Sequence, residues 1–379
     1  MISGHRTTSV FRASLLPIIL LLGILVLAGC TGVSTVPRGW SGGVIADSAL
    51  FVGSMEGKLV AVSTVDGSLL WAVPLESPQS GGGGFGCAAP AATSVAIYSS
   101  PAVAGDLIYV GGYNGKIYAI SSSTRLSKNK YLRQDEKTAA QPIVGAPLVS
   151  GGTVYIGSAD GWIYALDMVS LDEKWSFETD GKIWSTPTIS GDTLFIGSFD
   201  QKLYAIDTRT GKEKWEFETE GVIASTPVVY NNTVYFGSFD RYLYAVDATS
   251  GRLRWRFMAE NWFWATPVIS GNTIYAASLD GKVYALNAKN GDKLVEFDLG
   301  SPVSSSPVLA GSSIIVASED GVVYTLDTGD NQKRQLRSIG EKINAPLAAS
   351  QGIVYIHTVK GDLYAVDALS GALRQFNIK

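Results

Sequence analysis

Prolines recur along this chain at intervals of 40 residues, and no other feature constrains the fold as strongly. Five of them keep the interval without deviation: Pro147, Pro187, Pro227, Pro267 and Pro307. Pro101 and Pro346 extend the series with slightly altered spacing, and Gly43 holds the equivalent place in an earlier unit. These positions mark eight units. Self-similarity at this period indicates a propeller or a solenoid, whose units cannot bury their apolar faces alone.

Each unit contains four short runs of β-branched and aromatic residues, separated by clusters of Asn, Gly, Asp and Ser. In the clearest unit, the last three runs cover residues 233–237, 242–246 and 253–257. None of these runs has a helical period, and dipeptides such as Asn231-Asn232 tolerate the positive φ of tight hairpin turns. The sequence therefore predicts an all-β fold built from four-stranded antiparallel units.

Eight such units have one favourable arrangement, in which twisted sheets stand radially and each buries its faces against its neighbours. A linear stack would expose two apolar end faces, and neither terminal unit carries a polar capping sequence. We therefore predict an eight-bladed β-propeller over residues 41–379, with an insert at residues 74–95. Seven blades plus a decayed unit is the alternative, because the first unit lacks the proline.

A motif accompanies the period: Tyr-Ala, an aliphatic residue and Asp in the third run, then Thr/Ser-Gly, then Trp in the fourth. One copy runs from Tyr204 to Asp207 and continues with Thr210, Gly211 and Trp215. The motif resembles the PQQ-like repeat, a family that includes quinoprotein alcohol dehydrogenases and the barrel-assembly lipoprotein BamB. This resemblance covers nearly all of the predicted propeller. It implies the fold and says little about function.

Most of the recurring residues are interpreted as structural. The tyrosines of the third run suit packing between blades: Tyr118, Tyr164, Tyr204, Tyr244, Tyr284, Tyr324 and Tyr364. The resemblance implies that the tryptophans of the fourth run dock on the adjacent blade: Trp71, Trp175, Trp215 and Trp255. The Asp that recurs at the second turn, as in Asp160, supplies too few oxygens for calcium and is interpreted as turn-forming. His357 is interpreted as a packed or half-exposed residue and not as a metal ligand, because no second His or free Cys accompanies it.

The first 29 residues have the features of an export signal. An apolar run at residues 15–28 is short for a membrane-spanning helix and ends in small residues. The tetrapeptide Leu27-Ala28-Gly29-Cys30 resembles the lipobox of bacterial lipoproteins, in which the signal is cleaved before a cysteine that receives lipid. We therefore predict a signal peptide over residues 1–29, lipid on Cys30, and a tether over residues 30–40. An ordinary signal whose cleavage site contains a cysteine is the alternative.

Removal of the signal leaves 28 basic and 34 acidic residues, because Arg6 and Arg12 leave with it. The chain contains no basic block, so a nucleic-acid partner is not expected. Lipid on Cys30 would leave Cys87 as the last thiol, so no disulfide is expected within the mature chain. Cys87 could be free, buried, or joined to another chain.

An enzymatic function is not expected. The resemblance to quinoproteins would imply PQQ in the centre of the propeller, between a Trp and a disulfide of adjacent cysteines, with calcium beside it. This chain lacks an adjacent cysteine pair and the long insertions that build such a pocket. A hydrolytic triad requires a histidine base, and only His357 remains in the mature chain, within a strand. No cofactor or metal is therefore predicted, and PQQ and calcium rest on analogy of fold alone.

Two departures from the repeat are candidates for a binding function. One is the Gly/Ser-rich insert at residues 74–95, which is either functional or disordered. The other is the position three residues before each proline, predicted to ring one mouth of the channel: Trp40, Tyr98, Val144, Trp184, Ala224, Trp264, Ser304 and Ile343. The aromatic members and two adjacent rings are the candidate binding residues: Trp40, Tyr98, Trp184, Trp262, Phe263 and Trp264. Alternatively, these rings pack between the loops of the blades.

The leading hypothesis from the sequence is a BamB-like scaffold outside the cytoplasm, anchored by lipid to the cell membrane or the outer membrane. It is expected to be monomeric and to bind an envelope protein or an unfolded client. The first alternative is a ligand-binding or sensory propeller that uses the aromatic mouth of the channel. The second is a protein related to the PQQ-dependent dehydrogenases.

Overall fold

The computed structural model describes residues 39–76, 95–132 and 140–378, which form β-strands, turns and loops. These residues contain 32 strands in eight four-stranded antiparallel sheets, and the four strands of every sheet are consecutive in the chain. The prediction of an eight-bladed, all-β propeller is confirmed, and the unit without the proline forms a complete first blade. In these three ranges, no helix is long and apolar enough to span a membrane.

The strands of blades 1 to 4 are β1 (Val44–Ala46), β2 (Ala49–Gly53), β3 (Lys58–Ser63), β4 (Leu69–Pro74), β5 (Ala102–Ala104), β6 (Leu107–Gly111), β7 (Lys116–Ser121), β8 (Ser127–Tyr131), β9 (Leu148–Ser150), β10 (Thr153–Gly157), β11 (Trp162–Asp167), β12 (Glu173–Glu178), β13 (Thr188–Ser190), β14 (Thr193–Gly197), β15 (Lys202–Asp207) and β16 (Glu213–Glu218). The strands of blades 5 to 8 are β17 (Val228–Tyr230), β18 (Thr233–Gly237), β19 (Tyr242–Asp247), β20 (Leu253–Met258), β21 (Val268–Ser270), β22 (Thr273–Ala277), β23 (Lys282–Asn287), β24 (Lys293–Asp298), β25 (Val308–Ala310), β26 (Ser313–Ala317), β27 (Val322–Asp327), β28 (Lys333–Ser338), β29 (Ala348–Ser350), β30 (Ile353–His357), β31 (Leu363–Asp367) and β32 (Leu373–Phe376). The three runs predicted in blade 5 agree with β18, β19 and β20 to within one residue.

Tight turns with positive φ connect the strands, as predicted. Asn231 and Asn232 have φ values of 47° and 56° between β17 and β18. At the turn between β10 and β11, Asp160 accepts hydrogen bonds from the Trp162 backbone N–H at 2.9 Å and the Tyr164 hydroxyl at 2.7 Å. The same two bonds recur at Asp200, Asp240 and Asp280. The recurring Asp therefore shapes the turn and also holds the tyrosine of the third strand by its hydroxyl.

Aromatic side chains hold neighbouring blades together. Six of the seven third-strand tyrosines are buried, and Tyr324 is partly buried. The indole N–H groups of Trp175, Trp215 and Trp255 donate to backbone carbonyl oxygens of the next blade at 2.9, 3.2 and 3.0 Å. Trp71 lies instead beneath the Arg125 guanidinium of blade 2, 4.5 Å from the ring centroid. The docking of these tryptophans on the adjacent blade is therefore confirmed.

The ring closes by side-chain packing between blade 8 and blade 1. Residues of both blades, among them Leu50, Val60, Tyr355 and Phe376, form one buried apolar cluster. Among the strands of residues 39–76 and 340–378, none passes from one of these sheets to the other. His357 lies at this junction and is 2% exposed, in agreement with its interpretation as a packed residue.

Candidate binding site

The segment that leads into each first strand buries one side chain and turns the next toward the channel. Ile183 and Phe263 are buried at such places before β13 and β21. A Cβ added to Gly157 would lie 2.2 Å from Ile183, and one added to Gly237 would lie 2.3 Å from Phe263. These glycines end the second strands of the preceding blades, and their lack of a side chain admits the incoming residue. The following residue, such as Trp184, then lines the channel.

Two residues expected at the mouth of the channel lie elsewhere. Phe263 is 1% exposed and packs beside Tyr284 in the core between blades 5 and 6, which removes it from the candidate binding residues. Ile343 is fully buried, and Asn344 lines the channel in its place. The first strand of blade 8, β29, begins 40 residues after the first strand of blade 7, whereas Pro346 follows Pro307 by only 39 residues. The position three residues before Pro346 is therefore the buried Ile343 and not the channel-lining Asn344.

One group of aromatic rings flanks the channel on blades 1 and 2. The ring centroids of Trp40 and Tyr98 are 4.8 Å apart with an edge-to-face orientation, and those of Tyr98 and Tyr113 are 5.2 Å apart. Burial, together with the neighbouring Tyr113, raises the pKa of the Tyr98 hydroxyl above its ordinary value of 10.0. Tyr98 therefore enters the site as a neutral hydrogen-bonding group.

A second group, here named the aromatic arc, lies on blades 4 to 6 and consists of Trp184, Phe199, Phe239, Trp262 and Trp264. Phe239 stacks on Trp262 at 4.6 Å with an interplanar angle of 3°, and on Trp264 at 5.3 Å. Trp184 packs against Phe199 at 4.7 Å and against Trp264 at 6.3 Å. Trp184 and Trp264 line the channel, whereas Trp262 is 43% exposed. The arc thus runs continuously from the channel to the outer surface.

The mouth of the channel encloses a cavity of about 300 Å³. Its aromatic lining consists of Trp40, Tyr98, Tyr113, Trp184 and Trp264. Its polar lining consists of Ser99, Ser100, Thr186, Thr226, Thr266, Ser304, Ser306 and Asn344. Among the residues that the structure describes, no carboxylate, amine, guanidinium, imidazole or thiol lines this cavity. Four of the predicted aromatic residues are therefore brought together in an uncharged site.

Polar groups of the lining retain hydrogen-bonding capacity. The Thr186 hydroxyl oxygen accepts a bond from the Ala146 N–H at 2.9 Å, which leaves its own hydrogen for a second partner. The Ser99 hydroxyl and the Trp184 indole N–H are buried and find no partner within the described ranges. A buried polar group left unpaired costs about 1–3 kcal/mol. Both atoms have almost no accessible surface, so neither is offered directly to a ligand in the cavity.

The ends of the predicted insert belong to the propeller. Pro74 lies in β4, and Val95 is buried in the core shared by blades 1 and 2. Glu76 accepts bonds from the Lys116 ammonium at 2.5 Å and the Tyr118 hydroxyl at 2.7 Å, which fasten the chain just before residue 77. Residues 77–94 with Cys87, and residues 1–38 with Cys30 and the predicted signal, lie outside the described residues.

The prediction from the prolines omits three rings of the site: Tyr113, Phe199 and Phe239. All three lie in the turns between second and third strands, one residue before the recurring Asp or Asn. The other five blades carry non-aromatic residues at that position: Met55, Ala159, Leu279, Glu319 and Val359. The recurrence of large aromatic residues at one turn position was the signal available in the sequence.

Comparisons with known proteins bear on the family. Residues 153–378, more than half of the chain, match the family model described as the β-propeller of beta-alanine-activating enzyme. The chain belongs to this β-propeller family. Residues 30–137 match a second model, described as outer membrane protein assembly factor BamB. The predicted resemblance is confirmed, and the chain is a BamB-like propeller of PQQ-like repeats.

Two solved structures share this architecture. The crystal structure of BamB from Moraxella catarrhalis is 22% identical, with a TM-score of 0.68 over 85% of this chain and 92% of that chain. The computationally designed Ika8 protein is 16% identical, with a TM-score of 0.71 over 86% of this chain and 96% of that chain. Similarity at this level shows the fold alone. A search among curated proteins gives no significant match.

Proposed function

We propose that this chain is a protein-binding scaffold outside the cytoplasm that serves the assembly of outer-membrane proteins. The observation that carries the proposal is the aromatic arc, whose outer ring, Trp262, is 43% exposed and stacked on Phe239. Contiguous aromatic rings on a rigid surface are typical of the residues that dominate protein–protein binding. The match to the BamB family model and the likeness to the BamB fold support a place in that assembly process.

The chemistry of the channel supports binding over catalysis. General acid–base catalysis requires a titratable group near the operating pH, and a serine nucleophile requires an adjacent base. The cavity lining within the described residues consists of aromatic, aliphatic, hydroxyl and amide side chains. We therefore propose that the propeller acts without a cofactor of its own.

The partner that fits the arc is an apolar segment of an envelope protein or of an unfolded client. Trp262 and Phe239 offer flat apolar faces, and the indole and hydroxyl groups beside them can pair with backbone groups of the partner. One monomeric chain, held at a membrane by lipid on Cys30, would present this surface to the space around it. Replacement of residues 1–30 by a signal peptide that is cleaved without lipidation should release the protein from the membrane fraction if the lipid is the anchor.

A photocrosslinking amino acid placed at position 262 in cells tests the arc. Position 369 provides the control, because Leu369 is 81% exposed in the turn between β31 and β32, at the opposite end of the strands. We expect position 262 to capture an outer-membrane assembly barrel or its unfolded clients, and position 369 to capture neither. Trp262→Ala should reduce copurification of the partner about tenfold, which corresponds to 1.4 kcal/mol, and Leu369→Ala should not. Equal capture at both positions, or no protein captured at either, would contradict the proposal.

A further inference from the structure

The cavity at the mouth of the channel differs in chemistry from the outer part of the aromatic arc. Rings approach it from opposite sides of the propeller, with Trp40 and Tyr98 on blades 1 and 2 and Trp184 and Trp264 on blades 4 and 6. Between them, hydroxyl and amide groups line the cavity: Ser100, Thr186, Thr226, Thr266, Ser306 and Asn344. A ligand must therefore present apolar faces together with hydrogen-bonding groups along its edge.

We propose that this cavity binds an uncharged pyranose sugar, either free or as one neutral unit of a larger glycan. The C–H groups on the faces of a pyranose ring carry partial positive charge from the neighbouring oxygens, which the negative face of an aromatic ring attracts. The hydroxyl groups around the ring both donate and accept, as do the Ser and Thr hydroxyls and the Asn344 amide of the lining.

The hydroxyl groups of the lining support a polar ligand over an apolar one. An apolar occupant would cover the hydroxyls of Thr226 and Thr266 at the cost of their hydration. The hydroxyl groups of a sugar can instead exchange hydrogen bonds with them.

The lack of charge in the lining defines the class of sugar. A sugar acid or phosphate placed among these side chains would lose its hydration without gaining a cation, which is costly. The volume of about 300 Å³ lies at the lower end of the range of small-molecule sites, which is about 300–1,000 Å³. A single ring, or one ring with part of a second, matches this size. The inference stands on the cavity alone and does not depend on protein binding by the arc.

Calorimetric titration of the full-length chain with methyl glycosides of glucose, galactose, mannose and N-acetylglucosamine tests the proposal. Maltose and cellobiose are added as neutral disaccharides, glucuronate as a charged analogue, and p-cresol as a flat aromatic ring with a single hydroxyl. We expect saturable binding of at least one neutral sugar, one per chain, with glucuronate and p-cresol at least about tenfold weaker. If maltose or cellobiose binds more tightly than methyl glucoside, the ligand is a unit of a larger glycan. If they bind equally, the ligand is a free sugar.

Four variants locate the binding. Trp184→Ala should reduce the affinity about tenfold or more, and the milder Asn344→Ala and Thr226→Val should reduce it several-fold while keeping the fold, as verified by the thermal midpoint. Trp262→Ala, outside the cavity, should leave sugar binding unchanged even where it abolishes protein capture. The proposal is overturned if no neutral sugar binds, if p-cresol binds more tightly than every sugar, or if binding survives both Trp184→Ala and Asn344→Ala.

Discussion

Acidic pH should lower the stability of this propeller, because one imidazole is buried at the junction of blades 8 and 1. The Nδ1–H of His357 donates to the Ser41 carbonyl oxygen at 2.9 Å, so Nε2 carries no proton, and Nε2 has no partner among the described residues. Burial lowers the pKa of His357 below its ordinary value of 6.5, against the opposing influence of the Ser41 bond and the Asp362 charge. Protonation would place a charge in the interface that closes the ring.

The sign and the size of the effect follow from proton binding. Above pH 6.5, His357 is neutral in both the folded and the unfolded chain, and its contribution to stability is complete. Below that pH the unfolded chain binds a proton that the folded chain does not. Each further pH unit then removes about 1.4 kcal/mol from the free energy of unfolding, until the folded state is protonated as well. The loss therefore grows as the pH falls below 6.5, by at most about 1.4 kcal/mol for each pH unit.

Urea unfolding, followed by tryptophan fluorescence at pH 8.0, 6.5 and 5.0, measures this loss in the wild-type protein and in His357→Asn. Asparagine keeps an N–H donor near the position of Nδ1 and does not titrate. Carboxylates titrate alike in both proteins, so the difference between the two pH dependences isolates His357. We expect the wild type to lose more stability than the variant as the pH falls below 6.5, by at most about 1.4 kcal/mol for each pH unit. Identical pH dependences would refute the reasoning.

The docking of tryptophans predicts that Gly251→Ala destabilises the protein by about 3 kcal/mol, because a Cβ at its φ of +69° would lie 2.8 Å from the Trp215 ring. The matched control is Gly271→Ala, because Gly271 has a φ of +57° and no atom within 4 Å of an added Cβ; this variant should lose only about 1–2 kcal/mol. Equal losses of stability in thermal unfolding of the two variants would argue against the docking role. Gln201→Gly should raise the free energy of unfolding in urea by about 0.5–1 kcal/mol, because Gln201 has a φ of +75° where Gly161 and Gly281 stand in other blades. Unchanged stability in that variant would mean that Gln201 is not strained.

The candidate site could be predicted in part. Trp40, Tyr98, Trp184 and Trp264 line the cavity as expected, because a repeat places equivalent residues at equivalent points of the ring. The prediction treated Trp262, Phe263 and Trp264 as one patch, whereas Phe263 is buried between blades and its two neighbours are not. Residues 259–267, which connect blades 5 and 6, lie outside the strands, so the alternation of a strand could not be assumed there.

Local features of the sequence determined the number of blades, the strands and the turns of this protein. They could do so because turn residues and hydrophobic runs act within a few positions of each other, and the period repeats them eight times. Only the tertiary structure decided which side chains meet across blades. Phe239 stacks on both Trp262 and Trp264, although it lies more than 20 residues before them in the chain. Asn344 lines the channel in place of Ile343, because Pro346 is out of register with the other prolines. Packing of this kind depends on the distance and angle between whole sheets, which no single repeat encodes.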